Sequence, residues 1–166
     1  MNAIEIAIKM ETDAIDFYTG ASKKVKNPVG RKMFLTIAED EKHHLQMLTD
    51  IFKGLDITAK DVHPMKKIKG IFEEFRHEMM QRIEATEDEL NAFKVAMDME
   101  KKGVEFYKKA ASEAATTKEK ALFKKLVEQE EQHYAVFSNT YFFMHDTGSW
   151  FMWEEHSIVE GGTPWA

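Results

Sequence analysis

The chain has 166 residues, 43% of them hydrophobic and 31% charged, with a formal net charge of −6; this is the composition of one folded domain, and its mild acidity excludes the clustered basic face that nucleic acid demands. No cysteine is present, which removes disulfides, thiolate zinc sites, iron–sulfur clusters and cysteine nucleophiles, so any metal must sit on oxygen and imidazole nitrogen. Neither a secretory signal before Met10 nor an apolar run of membrane-spanning length is visible, and the expected location is the cytoplasm.

Glycine and proline are scarce, at 8 and 3, and the apolar spacing is helical throughout. Ile4, Ala7, Ile8, Glu11, Ile15 and Tyr18 fall on one face of a first helix, which should stop near Val25. Asn27 can cap a second helix with Pro28 at its first position; it carries Phe34, Ile37, Glu41, His44, Leu45 and Leu48, and Gly54 ends it. Residues 54–85 are too long for a hairpin turn. They hold a short basic run (Lys66, Lys67, Lys69), read as a solvated helix start, and an apolar stripe of Ile68, Phe72, Phe75, Met79 and Ile83. The expectation is a loop through Pro64 and then a connecting helix. Thr86 with Glu89 forms a capping box, opening a helix from Glu87 to about Ala114 that carries Met97, Glu100, Val104 and Tyr107. Thr116 or Thr117 caps a fourth helix to about His145. Each helix exceeds 20 residues, on the order of 35 Å. The tail at 146–166 holds Trp150, Phe151, Trp153 and Trp165, too much aromatic surface to stay solvated, and it should dock on the bundle or on a second subunit. The expected fold is all-α, a four-helix bundle over 1–145 built from hairpins 2–53 and 86–145 joined by a long helical crossover.

The two hairpins repeat one another. At a constant offset of 89 residues, 2–52 lie against 91–141 without gaps. Met10-Glu11 falls on Met99-Glu100, Phe17-Tyr18 on Phe106-Tyr107, Ala21 on Ala110, Phe34 on Phe123, and Glu39, Glu41 and His44 on Glu128, Glu130 and His133. Shared alanine follows from helical composition alone; a shared Glu, Phe-Tyr pair and Glu-x-x-His at one offset do not.

In Glu-x-x-His the two residues sit one helical turn apart on one face, so a carboxylate and an imidazole can reach one metal ion. Glu74 and His77 fit the same spacing but have no repeat partner and no companion Glu, and they read as chance. Glu41/His44 and Glu130/His133 each belong to a hairpin that also presents a Glu among apolar residues, Glu11 and Glu100. Any one of these glutamates taken alone reads as surface. Four buried together would repel and stay protonated unless cations compensated. Two divalent ions balance four carboxylates, with two neutral imidazoles completing the set: Glu11, Glu41, His44, Glu100, Glu130 and His133.

One Glu on each of two helices and Glu-x-x-His on each of the other two resembles the ferritin-like di-iron carboxylate proteins. Within them the chain is most similar to the rubrerythrin group along residues 1–145, carried by the opening Met-Glu…Phe-Tyr and by Ala-Glu-Asp-Glu-Lys-His-His-Leu at 38–45. Two departures stand out. Full-length rubrerythrins carry a four-cysteine rubredoxin-like domain, and this sequence has no cysteine, so no built-in electron relay is expected. They also carry an extra Glu one turn after the third-helix Glu, where this sequence has Gly103, matched by Ala14, so a symmetric site is expected. The resemblance implies a non-haem di-iron oxidoreductase of hydrogen peroxide or dioxygen, with two iron ions (manganese or a mixed pair being compatible), a separate electron donor of rubredoxin-like type and a homodimer. Glu41 and Glu130 would bridge, Glu11 and Glu100 would be terminal, and each histidine would hold one ion. A ferroxidase that handles iron and a non-catalytic metal-binding bundle use the same residues.

Tyr18 and Tyr107 lie two turns past Glu11 and Glu100, in reach of a carboxylate or else simply core. Asp40 is placed to orient a histidine, but Gln129 at the matching position argues against that role. Glu39 and Glu128 point away from the ligand face and read as surface. His43, His63, His145 and His156 have no partner in the pattern, and the methionines read as core filling.

Overall fold

The computed structural model describes residues 2–55 and 86–145. Of the expected crossover only Gly54 and Leu55 fall within them; its stripe and basic run, the Glu74/His77 pair and the 146–166 tail lie outside the described residues. Those described form four helices, α1 (Ala3–Lys24), α2 (Pro28–Phe52), α3 (Glu87–Glu113) and α4 (Thr117–His145). None of them is long and apolar enough to cross a membrane.

The ends are set by local chemistry. Asn2 and Glu5 exchange side-chain-to-backbone hydrogen bonds of 2.9 Å, a capping box that starts α1. Asn27 Oδ1 accepts from the Val29 and Gly30 amides, and Pro28 needs no such partner at the first helical position. Gly54 turns the chain out of α2 at φ +71°, a conformation that favours glycine. Thr86 and Glu89 form the capping box of α3, and Thr116 Oγ1 accepts from the Glu119 amide at the start of α4. Glu89 does a second job: its Oε1 accepts from the Lys26 amide at 2.6 Å, tying the α1–α2 turn to the start of α3.

Helices α1 and α2 pack as one hairpin and α3 and α4 as another; α1 meets α3 and α2 meets α4 across the halves. The apolar core is two clusters. One gathers Tyr18, Met33, Phe34, Ile37, Phe93 and Phe137; the other gathers Ile4, Met47, Leu48, Tyr107, Phe123 and Leu126. The repeat exchanges them: Tyr18 and Phe34 are 6.1 Å apart between ring centroids in the first, and their counterparts Tyr107 and Phe123 are 6.0 Å apart in the second. The halves are thus related by an internal twofold across the bundle, and the positions between the clusters on every helix carry the polar residues of the next section.

Candidate metal centre

Glu11, Glu41, His44, Glu100, Glu130 and His133 are all buried, each 4% exposed or less. One turn of helix brings Glu41 onto the face of His44, and Glu130 onto that of His133. Glu39 and Glu128, two residues earlier, are exposed, and so is His145; His43 is half-buried.

The six side chains meet as two overlapping groups. Glu11, Glu41, His44 and Glu130 bring one donor atom each within 4.8 Å of one another, and so do Glu41, Glu100, Glu130 and His133. Glu41 and Glu130 belong to both groups; Glu11 and Glu100 belong to one each. The imidazoles are stacked, with centroids 5.5 Å apart, and both turn Nδ1 toward the carboxylates. His44 Nδ1 lies 2.9 Å from Glu41 Oε2 and 3.1 Å from Glu130 Oε1. His133 Nδ1 lies 2.9 Å from Glu41 Oε1. Glu41 therefore spans the two rings with its two oxygens.

The surrounding hydrogen bonds cross between the halves. The Tyr18 hydroxyl donates to Glu100 Oε1 and the Tyr107 hydroxyl to Glu11 Oε1, so each tyrosine serves the outer glutamate of the other hairpin. Behind the rings, His44 Nε2 meets Gln129 Oε1 at 2.6 Å, and His133 Nε2 meets Asp40 Oδ2 at 3.1 Å. Here the expectation from sequence is corrected. The Asp/Gln mismatch does not remove Asp40 from the site, because both side chains offer an oxygen acceptor. The available signal was that both occupy the same repeat position, directly before a ligand-face Glu.

The electrostatics divide the carboxylates into two kinds. Burial, then repulsion from Glu41 and Glu130, holds Glu11 well above the usual carboxylate range; burial, then Glu130 and Glu41, does the same to Glu100. Burial also works to raise Glu41, but the charges of His44 and His133 outweigh it and hold it well below the usual range. Glu130 is lowered too: burial and Glu41 oppose this, and hydrogen bonds from Glu100, His133 and His44 prevail. Burial opposes a charge on either histidine, yet Glu41 and the carboxyl groups around it raise both well above the usual imidazole range. Simple repulsion, which would raise all four carboxyl groups alike, is therefore not the whole account: the outer pair and the rings hold their protons more tightly than free groups do, and the inner pair holds its protons less tightly.

Three buried atoms, Glu41 Oε1, Glu100 Oε2 and His133 Nδ1, make no well-formed hydrogen bond, although they face one another, with His133 Nδ1 2.9 Å from Glu41 Oε1 and 3.6 Å from Glu100 Oε2, and their residues converge in one four-donor group. Buried polar atoms call for a partner, and a cation shared among them would supply it. Carboxylate oxygen and imidazole nitrogen suit a divalent transition metal. The residues present therefore fit a pair of metal ions. A cleft of about 210 Å³ between α1 and α3 reaches the glutamates past Met10, Ala14, Met99 and Gly103.

Compared with known proteins, the chain matches the family model described as rubrerythrin over residues 2–141. Neither the curated proteins nor the solved structures yield a significant match. The match covers both hairpins and all six buried donors, and the chain belongs to the rubrerythrin family, with its ferritin-like di-iron carboxylate domain.

Proposed function

We propose that this chain is a non-haem di-iron oxidoreductase that reduces hydrogen peroxide or dioxygen. The observation that carries the reading is the pair of four-donor groups sharing Glu41 and Glu130. In this reading Glu41 and Glu130, which belong to both donor groups, would be shared between two iron ions, and Glu11 with His44 and Glu100 with His133 would each help to hold one of them. Manganese or a mixed pair satisfies the same donors.

A reduced iron pair, when bound, supplies the two electrons that cleave an O–O bond. The protein's own part is positioning and exclusion. Tyr18 and Tyr107 donate from Oη to the outer carboxylates and fix their orientation. Burial, reinforced by the neighbouring glutamates, keeps both tyrosines protonated and able to donate. Apolar clusters flank the site on either side, and the cleft between α1 and α3 is wide enough for a small oxidant. Iron would compete at Glu11, Glu100 and both imidazoles with protons that these groups hold more tightly than free groups do. As part of the same proposal, a separate donor protein, rubredoxin-like by family resemblance, returns the electrons, and the working unit is a homodimer.

The test is direct. Purified protein is loaded anaerobically with ferrous iron, its metal content measured, and peroxide titrated in while the spectrum is recorded. The reading expects two irons per chain and one peroxide consumed per iron pair. Slow oxidation by peroxide but fast oxidation by dioxygen, with ferric iron leaving the protein, would instead favour a ferroxidase. No iron bound under any loading condition would remove the proposal.

A further inference from the structure

The six ligand positions repeat about the internal twofold, although Glu130 lies 3.8 Å from His133 Nδ1 where its counterpart Glu41 lies 2.9 Å from His44 Nδ1; the layer behind them differs in residue type. His44 and His133 stand at matched repeat positions, both wholly buried, both presenting Nδ1 to the carboxylates. Their far nitrogens differ in partner. His133 Nε2 meets the carboxyl group of Asp40, and His44 Nε2 meets the carboxamide of Gln129. Asp40 and Gln129 are themselves matched positions, buried at 0% and 5% exposure, and each crosses to the other hairpin's histidine. The departure from symmetry is therefore one of chemical type and not of location.

An imidazole that donates its remote N–H to a carboxylate becomes a stronger base at the other nitrogen than one that donates to an amide. In a buried site the negative charge also acts across a low dielectric. The amide contact is the shorter of the two, so the difference rests on charge and not on distance. We infer that Asp40 is a positioning residue that makes the two metal positions inequivalent: the one at His133 and Glu100 fills first and holds its ion more tightly than the one at His44 and Glu11. This inference rests on the six residues being metal ligands, as proposed above.

Cobalt(II) added stepwise to the metal-free full chain tests it. Calorimetry reads the affinities of the steps, and proton NMR reads the exchangeable, paramagnetically shifted Nε2–H resonances of the two histidines. In the wild type the first equivalent is expected to bring up one Nε2–H resonance and the second equivalent the other. Asp40→Asn keeps an oxygen acceptor and removes the charge; it should weaken the first step by about tenfold or more and let both resonances grow together. The resonance that moves most in that variant identifies His133. Gln129→Glu in the wild-type background places a carboxyl group behind His44 and should bring the second step close to the first, which keeps the test open if Asp40→Asn does not fold. Both resonances growing together in the wild type, or steps unchanged in the variants, would overturn the inference and leave the metal site standing. No cobalt bound at all would overturn the metal site itself.

Discussion

The Tyr107 hydroxyl on α3 donates to Glu11 on α1, and Tyr18 on α1 does the same for Glu100 on α3. Each bond joins the two hairpins, and each gives a buried carboxyl group its donor. Tyr107→Phe and Tyr18→Phe keep the ring in its apolar cluster and remove only that donor. Each is expected to cost about 1–3 kcal/mol in the metal-free protein and to weaken metal binding about 10- to 100-fold. Urea denaturation and metal competition measure the two effects. A loss below half a kilocalorie in both variants, or about 0.5 kcal/mol on the scale of an ordinary surface change, would mean the bonds contribute little.

Glu41 faces both imidazoles, whereas Glu11 faces only His44. Removing a shared group and removing a terminal one should therefore differ in stoichiometry. We expect Glu41→Ala combined with Glu130→Ala to abolish metal binding, and Glu11→Ala to weaken one position while the other still loads. Elemental analysis of folded, dialysed protein checks this. Equal loss from both kinds of variant would refute the division into bridging and terminal groups.

The proton distribution fixes the sign of a pH effect. Glu11, Glu100, His44 and His133 all have folded pKa values raised above the ordinary ones. Their contributions are fully present below the unfolded pKa and are lost as pH rises through the folded value. Glu41 and Glu130 are depressed, so their contribution is present above the unfolded carboxylate value and is lost as pH falls through the folded one. Metal-free protein should be most stable at mildly acidic pH, roughly between the unfolded carboxylate and imidazole values of about 4.3 and 6.5, and should weaken toward alkaline pH. Metal-loaded protein should show the opposite slope on the acid side, because protons compete for the ligands. Melting temperatures of both forms across that range test it; a metal-free melting temperature that climbs steadily to alkaline pH is the contrary result.

Two helical glycines should respond to alanine with opposite signs. At Gly103 an added Cβ would meet Glu130 Oε2 at 3.5 Å, an ordinary contact. Gly103→Ala should therefore stabilise by about 0.5–1 kcal/mol through backbone entropy. At Gly30 the Cβ would lie 3.0 Å from Val25 Cγ1 and 3.3 Å from the Phe93 ring, where all three residues are buried. Gly30→Ala should cost about 1–3 kcal/mol of overpacking. Chemical denaturation of the two variants side by side decides both.

Much of this protein was legible as sequence, because the features concerned are local or repeated. Asn2, Asn27, Thr86 and Gly54 bound their helices through partners within three or four residues, so their roles do not depend on the rest of the fold. The six donors could be singled out because the same spacing occurs twice, and a helix turns spacing into a shared face. What the tertiary structure alone decided is everything that crosses between the hairpins: Tyr18 with Glu100, Tyr107 with Glu11, Asp40 with His133 and Gln129 with His44. Reading each hairpin by itself cannot find these pairs, since every partner lies more than 80 residues away along the chain. The same is true of the proton distribution. Four glutamates of one residue type become two kinds only when packing sets Glu41 and Glu130 between the imidazoles and leaves Glu11 and Glu100 at the sides, where burial and repulsion raise both above the usual carboxylate range.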